Sequence, residues 1–259
     1  MDIDEDNLIG NGSYKNCSYK YIWENKITYC LYILSHKGIT NPNLIQFLNY
    51  LKSMFRGYIT VSQFCNDSHL VDAITNVIGH LPPIEINPVR KLCLNIQNGT
   101  AYGNFVDYCA KRLLCQLANI PYKRPNAAND KRMQDYPDEM EKIENYLKTK
   151  LNGGEVDCAP EYDDKELKLL GEADFIIGTE LIDVKCRVDN LGASAKDFTQ
   201  LFLYAIQHYL KKGFKVKKLT IYNPKLGKEY AIDLSSWNGY DRTAAFIKRK
   251  MNEYSVFLN

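Results

Sequence analysis

The stretch Glu172-Ala-Asp174-Phe-Ile-Ile-Gly178-Thr-Glu180-Leu-Ile-Asp183-Val-Lys185 reads as a β-hairpin. Gly178-Thr179 suits a two-residue turn of type II′, in which glycine takes the positive φ of the first central position. That turn sets the register. Ile177 falls opposite Glu180, Asp174 opposite Asp183, and Glu172 opposite Lys185. Side chains alternate along a strand, so Asp183 and Lys185 share one face, while Ile182 and Val184 join Ala173, Phe175 and Ile177 on the other. One face of the hairpin is therefore apolar core, and the other carries two carboxylates and an amine.

Directly opposed residues have Cβ atoms roughly 4.5–5.5 Å apart, and like charges at that distance repel. A hard divalent cation with oxygen ligands, Mg²⁺ or Mn²⁺, would relieve the repulsion. Lys185, one residue pair away, would then be placed to act on a metal-bound water or on charge developing at a phosphate. The same residues also read as an exposed face with a Glu172–Lys185 ion pair and two solvated aspartates. Spacing alone leaves both readings open.

The chain has 259 residues, 45% of them hydrophobic and 25% charged, with a formal net charge of +2. That composition is ordinary for a globular protein with a full core, and any affinity for nucleic acid must come from local basic patches. No two of the eight cysteines form a Cys-x-x-Cys pair, which argues against a zinc ribbon or a redox dithiol. The acidic amino terminus lacks the apolar stretch of a signal peptide, and no window approaches a membrane span. An intracellular location without membrane association is expected, cytoplasmic or, in a eukaryote, nuclear.

Residues 1–98 read as a helical region, with helices from about Tyr21 to His36, from Pro42 to Phe55 and from Asp67 to Ile78, then a proline-rich connector from Pro82 to Asn98. Such a region could carry a protein partner or a homodimer contact. Residues 99–259 read as a second unit. An amphipathic helix spans 99–120, and a charged, surface-exposed helix spans 137–151. The hairpin, a helix over 195–212, strands at 216–222 and 229–234, and a last helix over 239–254 follow. Glu161, Asp163 and Asp164 read as a solvated acidic loop, and His208 as a helix-edge residue. The order α-β-β-α-β-β-α implies an α/β fold, a mixed sheet flanked by helices.

Gln200 and Tyr204 lie four residues apart on the helix after the hairpin, hence on one helical face, where they can turn toward the carboxylates. Asp174, then Asp183-Val184-Lys185, then Gln200-x-x-x-Tyr204, resembles the PD-(D/E)XK nuclease superfamily, specifically its RecB-like branch with a Gln-x-x-x-Tyr motif. Upstream, Gly103-Asn-Phe-Val-Asp107-Tyr resembles the leading helix of that group. The likeness covers about residues 99–240. It departs at Asp107, where many members carry Glu, and at Ala173, where the eponymous proline would stand.

The resemblance implies a restriction-endonuclease-like core and metal-dependent hydrolysis of a phosphodiester. Asp174 and Asp183 would hold Mg²⁺ or Mn²⁺, with Asp107 and the Val184 carbonyl contributing. Lys185 would position water and stabilise charge, and Gln200 and Tyr204 would orient the metal shell or the nucleic-acid backbone. No cysteine follows Cys186, so the iron–sulfur subtype is not expected. The basic run at Lys211, Lys212 and Lys215 is a candidate for tracking a phosphate backbone, though lysines at a helix end also complement its dipole. A nuclease acting on DNA is the first expectation. A nucleic-acid-binding or assembly module of the same fold with little or no activity, and an RNA endonuclease, are the alternatives.

Overall fold

The computed structural model describes residues 14, 17–25, 29–30, 33, 39–54, 58–96, 100–151, 153–164, 167–187 and 193–257. In chain order the elements are α1 (Tyr19–Asn25), α2 (Pro42–Met54), β1 (Ile59–Thr60), α3 (Val61–Phe64), α4 (Ser68–Ile78), β2 (Glu85–Pro88), α5 (Thr100–Leu117), α6 (Ala127–Met133), α7 (Pro137–Lys150), β3 (Val156–Cys158), β4 (Glu161–Asp164), β5 (Leu169–Glu172), β6 (Phe175–Ile177), β7 (Glu180–Val184), α8 (Ala195–Lys212), β8 (Lys218–Asn223), β9 (Lys228–Asp233) and α9 (Tyr240–Phe257). Phe55, the expected end of the second helix, lies outside the described residues.

The chain packs as two compact units. One comprises Met1–Thr60, Asp163–Leu170 and Lys248–Asn259; the other comprises Val61–Tyr162 and Gly171–Ile247. The first has its own core of Tyr19, Ile22, Phe47, Tyr50, Leu51 and Leu170, in which the Tyr19 and Phe47 rings lie 5.0 Å apart. Its strand β1 runs parallel to β5, pairing Ile59 with Leu169.

The second unit is built on a six-stranded sheet of order β2-β9-β8-β7-β6-β3. Its β6–β7 hairpin has the expected register, Phe175 opposite Ile182 and Ile177 opposite Glu180. Gly178 has φ 57° and Thr179 is not among the residues with positive φ, which suits type II′ rather than I′. From β7 the chain crosses over through α8 and returns as the parallel strand β8, with Asp183 level with Ile221. A parallel neighbour requires such a crossover, and it carries α8 across the sheet. The mixed α/β architecture with helices flanking a mixed sheet is as expected.

The apolar face of the hairpin packs as its alternation dictates. Phe175, Ile177, Ile182 and Val184 join Phe105, Cys109 and Leu113 of α5 and Ile143 and Leu147 of α7 in one cluster. Helix α7 is therefore not a surface helix: Met140, Ile143, Tyr146 and Leu147 are buried. Its charged residues serve the core too, because Lys150 reaches Glu229 at 2.6 Å and Glu180 at 3.0 Å while the Tyr146 hydroxyl donates to Glu229 at 2.8 Å. The proline-rich segment 82–98 is more than a connector. It contributes edge strand β2, paired antiparallel with β9, and the buried side chains Leu92 and Leu94.

Gly171 marks the tightest approach near the hairpin. A Cβ there would come 2.6 Å from Tyr204 Cε1 and 3.0 Å from Val61 Cγ2, so Tyr204 holds its place only because residue 171 has no side chain. Gly171→Ala should lower the unfolding free energy by about 1–3 kcal/mol, measured by urea denaturation, with the loss arising from displacement of the Tyr204 ring.

Candidate active site

Asp174 lies just before β6, at the foot of the hairpin. Its Oδ2 accepts a hydrogen bond from the Val184 N–H at 2.7 Å, and its Oδ1 is 2.8 Å from Lys111 Nζ. The same ammonium is 2.9 Å from Asp107 Oδ2, one helical turn back on α5. On β7, Asp183 Oδ2 lies 2.8 Å from Lys185 Nζ. That contact is off the line of a hydrogen bond, and Asp183 Oδ2 is among the buried atoms with no hydrogen-bond partner. Asp107 Oδ1 is another: the Asp107 side chain as a whole is 31% exposed, but this oxygen is sealed.

Asp107 and Asp174 are thus joined through Lys111, while Asp183 pairs with Lys185, and this wiring differs from the simple hairpin picture. Glu172 does not pair with Lys185. Arg124 takes it with two nitrogens, at 2.9 and 2.6 Å, and extends the same group to Glu161 at 2.7 Å. Glu161 therefore belongs to strand β4 and to a charge network, not to a solvated loop. Lys111, only 7% exposed, is the residue that the sequence reading missed. Its signal was the i, i+4 pair Asp107-x-x-x-Lys111 on a helix whose other face is apolar.

The charges move one another. Burial pushes the carboxyl groups of Asp107 and Asp183 up to about 7; Asp174 adds to both shifts, whereas Lys111 and Lys185 oppose them. Burial also pushes Asp174 upward, yet Lys111, Lys185 and the Val184 N–H outweigh it and hold this carboxyl below its ordinary value. Burial alone would lower the lysines. The aspartates reverse that, so Lys111 and Lys185 both titrate above their ordinary value and are ammonium ions at neutral pH.

Helix α8 is fixed at its start by a capping box. Ser194 accepts from the Asp197 N–H while Asp197 accepts from the Ser194 N–H, and Arg187 pairs with the buried Asp197 at 2.8 Å. This places Gln200, whose Nε2 donates to the Tyr204 hydroxyl at 2.9 Å. Burial raises the Tyr204 phenol; the Gln200 hydrogen bond and Lys185 oppose the shift, and Asp183 and Asp174 add to it. The basic run is dispersed by comparison. Lys211 Nζ donates to the Glu161 carbonyl at 2.8 Å, Lys215 lies over the rings of Tyr209 and Tyr240 at 5.6 and 5.9 Å, and Lys212 lines a separate cavity.

Among the described residues no group of three or more His, Cys, Asp or Glu side chains is arranged to hold a metal ion. Two ammonium groups, Lys111 and Lys185, are paired with these carboxylates instead. The donor chemistry nevertheless suits a hard cation, because every candidate ligand is an oxygen and the buried Asp107 Oδ1 has no hydrogen-bond partner. No helix among the described residues is long and apolar enough to cross a membrane. The chain matches no family model and no curated protein.

The raised carboxyls set a pH dependence. For Asp107 and Asp183 the folded state binds protons more tightly than the unfolded chain, so their effect on stability becomes less favourable as pH rises from about 4 to about 7. In chelator, Asp183→Asn should therefore gain stability relative to wild type across that window, by about 2 kcal/mol between pH 5 and pH 8. Denaturant melts of both proteins at the two pH values provide the measurement, and a difference independent of pH would refute the assignment.

Proposed function

We propose that this chain is a divalent-metal-dependent nuclease that hydrolyses phosphodiester bonds, with DNA as its substrate ahead of RNA. The observation that carries the reading is that Asp174, held by Lys111 together with Asp107, also accepts from the Val184 N–H between the paired residues Asp183 and Lys185, with Asp107 Oδ1 sealed from water and without a hydrogen-bond partner. A restriction-endonuclease-like core, the finer fold reading, is part of the same proposal. Asp107, Asp174 and Asp183, with the Val184 carbonyl, would hold Mg²⁺ or Mn²⁺, which when bound supplies charge neutralisation at the phosphate and a more acidic water.

The chain's own groups then have distinct tasks. Lys185 keeps its proton at neutral pH, so it acts as a hydrogen-bond and charge donor to a phosphate oxygen, not as a base. The Val184 N–H orients Asp174. Gln200 donates to the hydroxyl of the buried Tyr204, and the pair would orient the metal shell or the backbone of a bound strand.

A second reading has one observation in its favour. Lys111 already bridges Asp107 and Asp174, which gives the cluster an internal counter-charge and fits a nucleic-acid-binding module that does not cut. Cleavage assays with linear, circular and single-stranded DNA and with RNA, in Mg²⁺ and in Mn²⁺, separate the two. The nuclease reading expects cutting that falls by at least about 100-fold in Asp183→Ala and in Lys185→Ala, with far-UV circular dichroism unchanged. A wild type that binds oligonucleotide equally well with and without Mn²⁺ and cuts none of these polymers supports the second reading and removes the first.

A further inference from the structure

A second feature lies along the same helix. Positions 200, 204, 208 and 212 of α8 form one i, i+4 stripe, which leads from the Gln200–Tyr204 pair to a cavity of about 330 Å³ lined by Glu155, Asp157, Ile176, His208, Lys212 and Phe214. Its volume is at the small end of ligand cavities, about 300–1,000 Å³, the scale of one planar ring system and not of a longer chain. His208 is not a helix-edge residue. It is 5% exposed, its Nδ1 meets the Tyr162 hydroxyl at 3.2 Å, and no hydrogen bond to its Nε2 forms among the described residues. Burial holds the imidazole below its ordinary pKa, so at neutral pH it adds no charge to the cavity.

The lining has a definite chemistry. Ile176 is buried and offers an apolar wall. Phe214 is 37% exposed, with its ring edge-on to His208 at 5.7 Å, so a flat aromatic surface is open to a partner. Glu155 and Asp157 are acceptors only when ionised and demand a ligand that donates, while Lys212 offers a single cation on the helix side. Position completes the argument. Ile176 follows Asp174 by two residues, about 6.6 Å along a strand, and His208 follows Tyr204 by about 6 Å along the helix. The cavity also reaches Gly178 and Thr179 at the hairpin turn, so a strand whose phosphate lay at the aspartates would run along the hairpin toward the turn to bring a base into it.

We propose that the cavity receives an unpaired nucleobase carrying an exocyclic amine, which Glu155 and Asp157 read by accepting its N–H donors while Phe214 covers its face. Adenine, cytosine and guanine present such an amine; thymine and uracil have none and offer a single N3–H flanked by two carbonyl oxygens, so they satisfy the pair of carboxylates less well. A base seated there is out of the duplex, so the substrate is single-stranded at this point. The inference rests on the nucleic-acid reading of the neighbouring site and adds base selection to it.

The test uses the full chain in EDTA, where no cutting occurs, with fluorescently labelled dA, dC and dT octamers followed by anisotropy. Wild type should bind dA and dC octamers at least about fivefold more tightly than dT, and the preference should vanish in Glu155→Gln/Asp157→Asn while melting temperature is kept. Phe214→Ala should weaken dA and dC more than dT. Equal binding of all three octamers, or a preference that survives in the double variant, overturns the proposal. If wild type cuts DNA yet shows no preference, the base pocket fails and the nuclease reading stands; if the chain neither binds nor cuts, both fail.

Discussion

Asp174 is held from two sides, by the Val184 N–H across the hairpin and by the Lys111 ammonium from α5. Much of the surrounding arrangement depends on that double hold. The first bond ties the two strands at the open end of the hairpin, opposite the Gly178 turn. The second ties the hairpin to the helix that covers its apolar face. Because Lys111 also reaches Asp107, a single buried cation sets the spacing of two acidic groups from different elements. Breaking a buried pair by removing one partner leaves an uncompensated charge, which is far more costly than losing a surface ion pair.

Two ammonium groups face three aspartates here, and the balance is incomplete. Asp107 and Asp183 are pushed up to about 7; Asp107 Oδ1 has no hydrogen-bond partner among the described residues, and Asp183 Oδ2 has only the Lys185 ammonium at 2.8 Å. A purely structural cluster gains nothing from such an orphan, because replacing it with packed apolar groups would be at least as stable. Incomplete neutralisation at a conformationally fixed spot is what a site awaiting a further cation requires. The aspartates also retain the proton of Lys185, so on the proposed nuclease reading this residue would donate.

The hairpin was legible because its turn is short and glycine-led, which leaves one register, and because alternation sorts its residues onto two faces without exception. Asp107, Asp174, Asp183, Lys185, Gln200 and Tyr204 could all be singled out on that basis and on the family likeness. What could not be read was carried by charge inside the fold. Strands β3 to β5 contain Asp157, Glu161, Asp163 and Asp164, which look like a solvated loop unless Arg124, far off in sequence, is known to receive Glu161 and Glu172. Helix α7 looked exposed because its lysines and glutamates outnumber its apolar residues, although Met140, Ile143 and Leu147 recur at spacings of three and four and form a buried stripe. Lys111 was hidden for the same reason, as a charge at a position where a helix facing a sheet usually carries an apolar side chain.

The most direct test of the central claim, that this cluster is a cation site short of one cation, is a Mn²⁺ titration at pH 7.5 followed by electron paramagnetic resonance of free Mn²⁺. Wild type should remove about one equivalent per chain from the free signal, and Asp183→Asn should remove none, since one substitution deletes an oxygen donor from an all-oxygen site. If wild type leaves the Mn²⁺ signal unchanged to millimolar concentration, Lys111 and Lys185 are the cluster's final counter-ions and the account is contradicted.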